Sequence, residues 1–479
     1  LRRFRKPAMF RDRMKRPQLR VLHVCLARIS FCDIYIDYID FTNEHGLCTV
    51  SRIETAISEI PNMASAIDNS PAVTTTPSAA PSATPSASTC AAPAMGEPYL
   101  LTPGPLTTAF STKQAMLRDW GSWDGDFRAM TAELRRSLLE IAGDAAGEYD
   151  CVPLQGSGSY CVEAMLGSLI PRDGHALVLA NGAYGKRIAT TLGYLGRACT
   201  VLDKGDYLPP RGAEVESMLA ADPRITHVVA VHCETSSGIL NPIEEIAAAT
   251  AKQGRKLLID SMSAFGAVPL DVKRIACEAF VSSANKCIEG VPGFGFVIAR
   301  KRALQEAKGR SHSLSLDVYD QWDVMNRTGQ WRFTPPTHTV AAFIEALRLH
   351  KLEGGQAGRL ARYANNRDVL VAGMRELGFE PLLNARWRSP IIVTFFSPAH
   401  ASFKFERFYE LMKEQGFIIY PGKLTVVDSF RIGCIGQVDE RVMRRVVRAC
   451  AQSLQAMGVD HAAPPAMAIE ERKMLAEAA

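Results

Sequence analysis

Between residues 149 and 298 the chain alternates short, nearly uninterrupted apolar runs with stretches in which apolar positions recur every three or four residues. The runs predict strands at 149–154, 176–179, 198–202, 226–231, 256–259 and 293–298, and a further strand-like run leads to Lys286. The periodic stretches predict helices at 162–169, after Tyr184, at 214–221 and at 243–253, preceded by a clearly amphipathic helix at 128–142. Strands without polar alternation are buried on both faces, and strands separated by helices build a mostly parallel sheet covered on either side. The run at 293–298 is expected to lead back across that sheet.

A polar stretch (SHSLSLDVYDQW, WRFTPPTHT) follows, then helices at 340–351 and 357–377. Beyond them, strands at 390–396, 418–420 and 429–432 are interspersed with helices at 405–415 and 439–457, an α+β arrangement. The expected fold class is therefore α/β. A large domain with a mostly parallel sheet, residues 97–350, is joined to a smaller C-terminal α+β domain, residues 351–460, and a tail, 461–479.

Residues 1–96 differ in character. The formal charge of +5 is unevenly placed: residues 1–20 carry nine Lys/Arg and only Asp12, and the extension nets +3, leaving +2 on the rest. A nearly neutral body argues against nucleic acid as a partner. The apolar stretch at 21–41 is interrupted by Arg28, Asp33, Asp37 and Asp40, too often for a membrane span, and no small-residue cleavage site marks a secretory signal. The Arg-rich, acid-poor opening has the look of a mitochondrial transit peptide. The first residue, Leu1, and the lack of a coherent targeting pattern point instead to sequence that is not native coding, with Met63 or Met95 as the start. Residues 64–94 are Ala/Ser/Thr/Pro low complexity, which cannot bury enough apolar surface to offset chain entropy. A disordered or non-native extension is expected over 1–96. Twelve cysteines without a C-x-x-C pair or a zinc-like Cys/His spacing read as buried free thiols. A reducing compartment, cytosol or organelle matrix, follows, with the cytoplasm as the expected location.

The candidate chemistry lies at strand ends. Strand 256–259 ends on Asp260, and the next run delivers Lys286, 26 residues on, in a Ser-Ser-Ala-Asn-Lys context before a glycine-rich turn. That separation suits a strand, a crossover and a second strand, which brings acid and amine to one edge. Pyridoxal phosphate chemistry needs this pair: a lysine amine for a Schiff base and an acidic partner for the pyridinium nitrogen. Gln155-Gly-Ser-Gly-Ser-Tyr160 ends one strand and opens a helix, a natural phosphate cradle. Tyr184 and Thr235 also follow predicted strands, and ligands of parallel sheets sit at the carboxyl ends of the strands. Arg431 lies on the last strand among residues that alternate as in a buried strand, where an unpaired charge is costly and a bound anion would relieve it.

From about residue 99 to residue 458 the motifs LLTPGPLTT, DWGSWDGDF, QGSGSY, NGAYGKR, HCETSSGILNP, LIDSMSAFGA, SSANKCIEGVPGFGF and FRIGCIGQ follow one another. With them the chain resembles the class V, fold-type I pyridoxal-phosphate aminotransferases. DWGSWD, HCETSSG and ANKCIEGVPGFGF narrow the resemblance to the group that uses 2-aminoethylphosphonate and pyruvate. The resemblance implies a fold-type I homodimer in which Lys286 carries the cofactor and moves the substrate proton, and Asp260 pairs with the ring nitrogen. Ser157, Gly158 and Ser159 would hold the phosphate, Tyr184 would stack on the ring, and Thr235 would hydrogen-bond near the ring oxygen or Asp260. Thr334 would reach the phosphate in a neighbouring subunit, and Arg431 would clamp phosphonate or carboxylate; whether it reads the phosphonate alone or with Trp120, Trp123 or Arg332 stays open. Two alternatives stay open: an aminotransferase using alanine, serine or glyoxylate on the same scaffold, and a pyridoxal-phosphate-binding regulator without turnover. A lyase or desulfurase is disfavoured, because Cys287 is too close to Lys286 along the chain to reach a substrate freely.

Overall fold

Seven strands form the central sheet: β1 (Tyr149–Gln155), β2 (His175–Ala180), β3 (Ala198–Asp203), β4 (Ile225–Val231), β5 (Lys256–Asp260), β6 (Ala279–Ser283) and β7 (Phe294–Arg300). The computed structural model describes residues 96–422 and 427–477, so the expectations for the N-terminal extension up to residue 95 lie outside the described residues. The sheet order is β1-β7-β6-β5-β4-β2-β3. The pairs from β6 through β5, β4 and β2 to β3 are parallel, and β7, the expected return strand, runs against both β1 and β6.

The nearly unbroken apolar runs have a direct cause: successive residues of each strand enter different cores. In β5, Leu257 and Ile259 face one core and Leu258 the other; in β4, Val228 and Ala230 oppose Val229 and Val231. The first core receives helix Gly125–Ile141 through Phe127, Leu134 and Leu138. The second receives helix Gly158–Leu169 through Met165, Leu166 and Leu169, and helix Ala183–Tyr194 through Ile188 and Leu192. Each such side chain, fully buried, contributes about 1.5–3 kcal/mol over leaving it in water, so packing rather than local propensity holds these helices. The exception is β3, at the sheet edge, where Val201 is 41% exposed.

A second, antiparallel sheet follows in the order β8 (Ile392–Phe396), β10 (Ser429–Gly433), β9 (Tyr420–Pro421). Its core is aromatic. The Phe430 ring lies 5.4 Å from Phe379, 5.7 Å from Phe395 and 5.4 Å from Phe408. Helices Gly355–Glu376 and Glu440–Ala456 close it with Leu370, Met374, Met443 and Val446. The N-terminal segment lies against the same layer, with Tyr99 and Leu100 paired to Phe417 and Ile418 and the Gly433 N–H donating to the Leu101 carbonyl at 2.9 Å. From there residues 102–107 run to the ends of the central strands. Among the described residues no helix is long and apolar enough to cross a membrane.

Three helices went unread in the sequence, the short Lys301–Glu306 directly after β7 and two longer ones. Val318–Thr328 lies in the polar stretch after β7, opened by the Asp317 side chain accepting from Asp320 N–H at 3.1 Å and closed by Gly329 at φ 71°. Ala466–Glu477 lies within the expected tail, with Ala468 buried and Arg472 donating to the Pro381 carbonyl at 2.6 Å.

Candidate functional site

The carboxyl ends of β1, β2, β4, β5 and β6 share one edge of the sheet, and a cavity of about 220 Å³ opens there. Its lining includes Gly158, Ser159, Tyr184, Asp260 and Lys286, together with Arg187. The acid and the amine expected to converge thus do so.

Asp260 closes β5 and is 6% exposed. One of its oxygens accepts from the Met262 N–H at 3.0 Å. Burial pushes its carboxyl up to about 6; the Met262 N–H opposes the shift, the Glu234 carboxylate adds to it, and Lys286 and Arg187 pull the other way. A protonated pyridine nitrogen would supply the cation that this carboxylate lacks. Lys286 stands in the turn after β6, its Nζ donating to the Pro103 carbonyl at 2.8 Å and the Gly104 carbonyl at 3.3 Å. Burial lowers its ammonium to about 8, against the pull of Asp260, which raises the share of neutral amine available as a nucleophile or base. Gly104 has to be glycine: it sits at φ +113°, and a Cβ there would lie 2.9 Å from the Lys286 Nζ.

The phosphate end is a helix start. Ser157 is the N-cap of helix Gly158–Leu169 and makes no side-chain cap bond; Gly158 and Ser159, at the helix start, line the cavity, whereas Ser157 does not. A Cβ on Gly158 would overlap the end of the Met262 side chain, which would have to swing aside. A lysine, a buried carboxylate with one protein donor and an N–H-rich cradle bordering one cavity fit pyridoxal phosphate.

Tyr184 begins helix Ala183–Tyr194, and sequence reasoning missed the two residues that hold it there. Glu234, fully buried, accepts from the Tyr184 N–H at 3.0 Å and the Gly185 N–H at 3.2 Å, capping the helix start. Burial raises its carboxyl, opposed by Ser236 and by these N–H groups. The Arg187 guanidinium lies 4.8 Å from the Tyr184 ring centroid and donates to the Ser159 hydroxyl at 3.3 Å. Both residues sit inside motifs already singled out, HCETSSG and NGAYGKR. A charged residue in an otherwise buried run was the signal for Glu234.

Arg431, on β10, is 5% exposed. Its Nε donates to the Pro421 carbonyl at 3.0 Å and one terminal nitrogen to the Thr235 carbonyl at 2.9 Å, so Thr235 aims the guanidinium. Among the described residues no carboxylate lies within 4 Å of it, and burial lowers its pKa. Neither Arg431 nor Thr235 is among the residues that line the cavity. Thr334 lies elsewhere: its carbonyl accepts from Gln155 Nε2 at 3.1 Å, and it lines a separate surface hollow with Ser122 and Arg332. Arg332 is engaged by Asp320 at 3.0 Å, Trp120 is stacked under Arg118 at 3.9 Å, and Trp123 is 73% exposed. Cys287 is fully buried, and burial pushes its thiol up.

Residues 161–432 match the family described as Aminotransferase class-V. The 2-aminoethylphosphonate–pyruvate transaminase 1 of Paraburkholderia xenovorans is 90% identical over 387 residues, 81% of this chain and all of that protein. The 2-aminoethylphosphonate–pyruvate transaminase of Rhizobium meliloti is 76% identical over 382 residues, 80% of this chain and again all of the relative. Among solved structures, pyridoxamine–pyruvate aminotransferase from Mesorhizobium loti superposes with a TM-score of 0.70 at 22% identity, over 80% of this chain and 98% of that one. Alanine–glyoxylate aminotransferase from a Nostoc species gives the same TM-score, 0.70, at 22% identity over 75% and 95% of the two chains. The chain belongs to the class-V aminotransferase family.

Proposed function

We propose that this class-V aminotransferase moves the amino group of 2-aminoethylphosphonate to pyruvate, giving phosphonoacetaldehyde and L-alanine with pyridoxal phosphate as cofactor. The observation that carries the reading is the identity of 90% with a transaminase of that name, across that protein's whole length. The geometry supports it: an amine with a lowered pKa lines the same cavity as a buried carboxylate, and a buried arginine, without a carboxylate within 4 Å among the described residues, stands on β10.

When bound, the cofactor holds the amino group between the two half-reactions and accepts the electron pair left on the substrate carbon. Asp260 keeps the ring nitrogen protonated. Lys286 takes the proton from the carbon that bears the amine and returns a proton in the second half-reaction. Ser157, Gly158 and Ser159 would hold the phosphate, and Tyr184, fixed by Glu234 and Arg187, would pack against the ring. Arg431 binds the phosphonate of one substrate and the carboxylate of the other; a planar fork of donors accepts either anion. Thr334 is assigned to the phosphate bound by a second subunit. Exposed Phe333 and Trp123 beside its hollow, 42% and 73% accessible, support a homodimer closing there. The eight free cysteines among the described residues, seven of them buried, support a reducing, cytoplasmic setting.

Incubation with 2-aminoethylphosphonate and pyruvate, followed by NMR, tests the reaction. Equal growth of L-alanine and phosphonoacetaldehyde is expected. Alanine formed only from another amine would overturn the substrate assignment.

A further inference from the structure

The turn that carries Lys286 is held from outside the cavity by a buried knot of charges. Glu289, three residues on, is 3% exposed and is the one residue other than glycine with positive φ, 64°, among the described residues. A side chain stays in that region only where its surroundings over-determine it. One oxygen of Glu289 accepts from the Tyr363 hydroxyl at 2.5 Å and from Arg362 at 2.8 Å, with Arg359 at 3.4 Å, and the other accepts from Gln437 Nε2 at 2.6 Å. Arg359, 1% exposed, also donates to the carbonyl of Cys287, the residue after the lysine. Arg362 donates to the carbonyls of Gly436 and Val438, which follow the strand bearing Arg431. The Glu289 N–H donates to the Lys286 carbonyl at 2.7 Å and closes the turn.

One carboxylate therefore joins three pieces: the lysine turn, helix Gly355–Glu376 and the loop leaving β10. Glu289, Arg359 and Arg362 are absent from the cavity lining, so none is placed to touch a ligand there. Buried ion pairs contribute little net stability over apolar packing but can specify a geometry, and a reacting group displaced by about 1 Å loses on the order of 100-fold in rate.

We propose that Glu289 is the positioning residue for Lys286, setting, through Arg359 and Arg362, the distance between the amine that moves the substrate proton and the arginine that holds the substrate anion. This rests on the assignments of Lys286 and Arg431 made above.

The test uses Glu289→Gln and Tyr363→Phe in the full chain loaded with pyridoxal phosphate. Three quantities are read: the midpoint of the pH titration of the visible absorbance of the Lys286-bound cofactor, kcat, and the isotope effect on kcat with 2-aminoethylphosphonate deuterated at the amine-bearing carbon. In Glu289→Gln the midpoint should move by about half a pH unit or more, kcat should fall about tenfold or more, and the isotope effect should rise as proton transfer slows. Tyr363→Phe should move all three the same way, with kcat down about threefold; it alone decides the matter if Glu289→Gln does not fold. Variants that melt earlier yet keep the wild-type midpoint, kcat and isotope effect would overturn the proposal. Wild-type protein with no visible band would instead remove the assignment of Lys286, and the positioning role with it.

Discussion

Asp260 and Glu289 are both buried carboxylates, 6% and 3% exposed, and their surroundings drive them apart. Asp260 meets a single backbone donor, and burial pushes it up to about 6; Glu289 resists the same burial because Arg359 and Arg362 hold it down at about 2. Two arginines repeat the contrast. Arg359 pairs with Glu289 and Glu353, whereas among the described residues Arg431 donates only to carbonyls. The region that satisfies its own charges is scaffold. The region left short of partners is the one to which the proposed function assigns ligands.

The largest effect expected on the unsatisfied side comes from Lys286→Ala, which should remove the visible cofactor band and lower turnover by about 10³-fold or more; a variant keeping both would place the chemistry elsewhere. Arg431→Leu should leave the band in place and lower kcat/KM for phosphonate and for pyruvate alike, by about 100-fold. Loss toward only one of them would split the anion site in two.

Stability against pH sharpens the comparison further. The Asp260 pKa is raised, so its stabilising contribution is full below the unfolded value near 3.8 and is lost as pH rises through about 6. In cofactor-free protein Asp260→Asn should therefore be more stable than wild type at pH 7, by up to about 3 kcal/mol, and lose that advantage by about pH 4. The Glu289 pKa is depressed, so its contribution is present above about 4.5 and lost as pH falls toward about 2. Glu289→Gln should then be less stable at pH 7, and the difference should shrink in acid. Urea unfolding at several pH values reads both signs, and equal signs would erase the distinction between the two regions. The smallest effect concerns Lys286, whose amine is lowered to about 8. Recombination of cofactor with cofactor-free protein should quicken by up to about tenfold per pH unit and level off above about pH 8; a rise continuing past pH 10 would put the lysine in water.

Much of this was legible along the chain because strand ends carry ligands and the apolar runs mark the strands. Asp260, Lys286 and the Ser157–Ser159 turn each close or follow such a run, and Arg431 betrayed itself as a charge in an alternating strand. The knot was not legible. Glu289 and Arg362 are 73 residues apart, and no local pattern announces a pairing across that gap. Helix Val318–Thr328 was hidden by its polar composition, although Asp317 and Gly329, its two caps, stood in plain view. Thr334 shows the limit of a single chain: its place follows from the family resemblance, and nothing in its own surroundings assigns it a ligand.

One measurement bears most directly on the account: the visible absorbance of the cofactor-loaded protein, followed on addition of 2-aminoethylphosphonate and then of pyruvate, with L-serine and glycine as parallel amines. The account predicts that the phosphonate bleaches the band, that pyruvate restores it, and that serine and glycine do neither at the same concentration. Bleaching by serine or glycine with no response to the phosphonate would contradict it, leaving the aminotransferase scaffold in place with a different substrate.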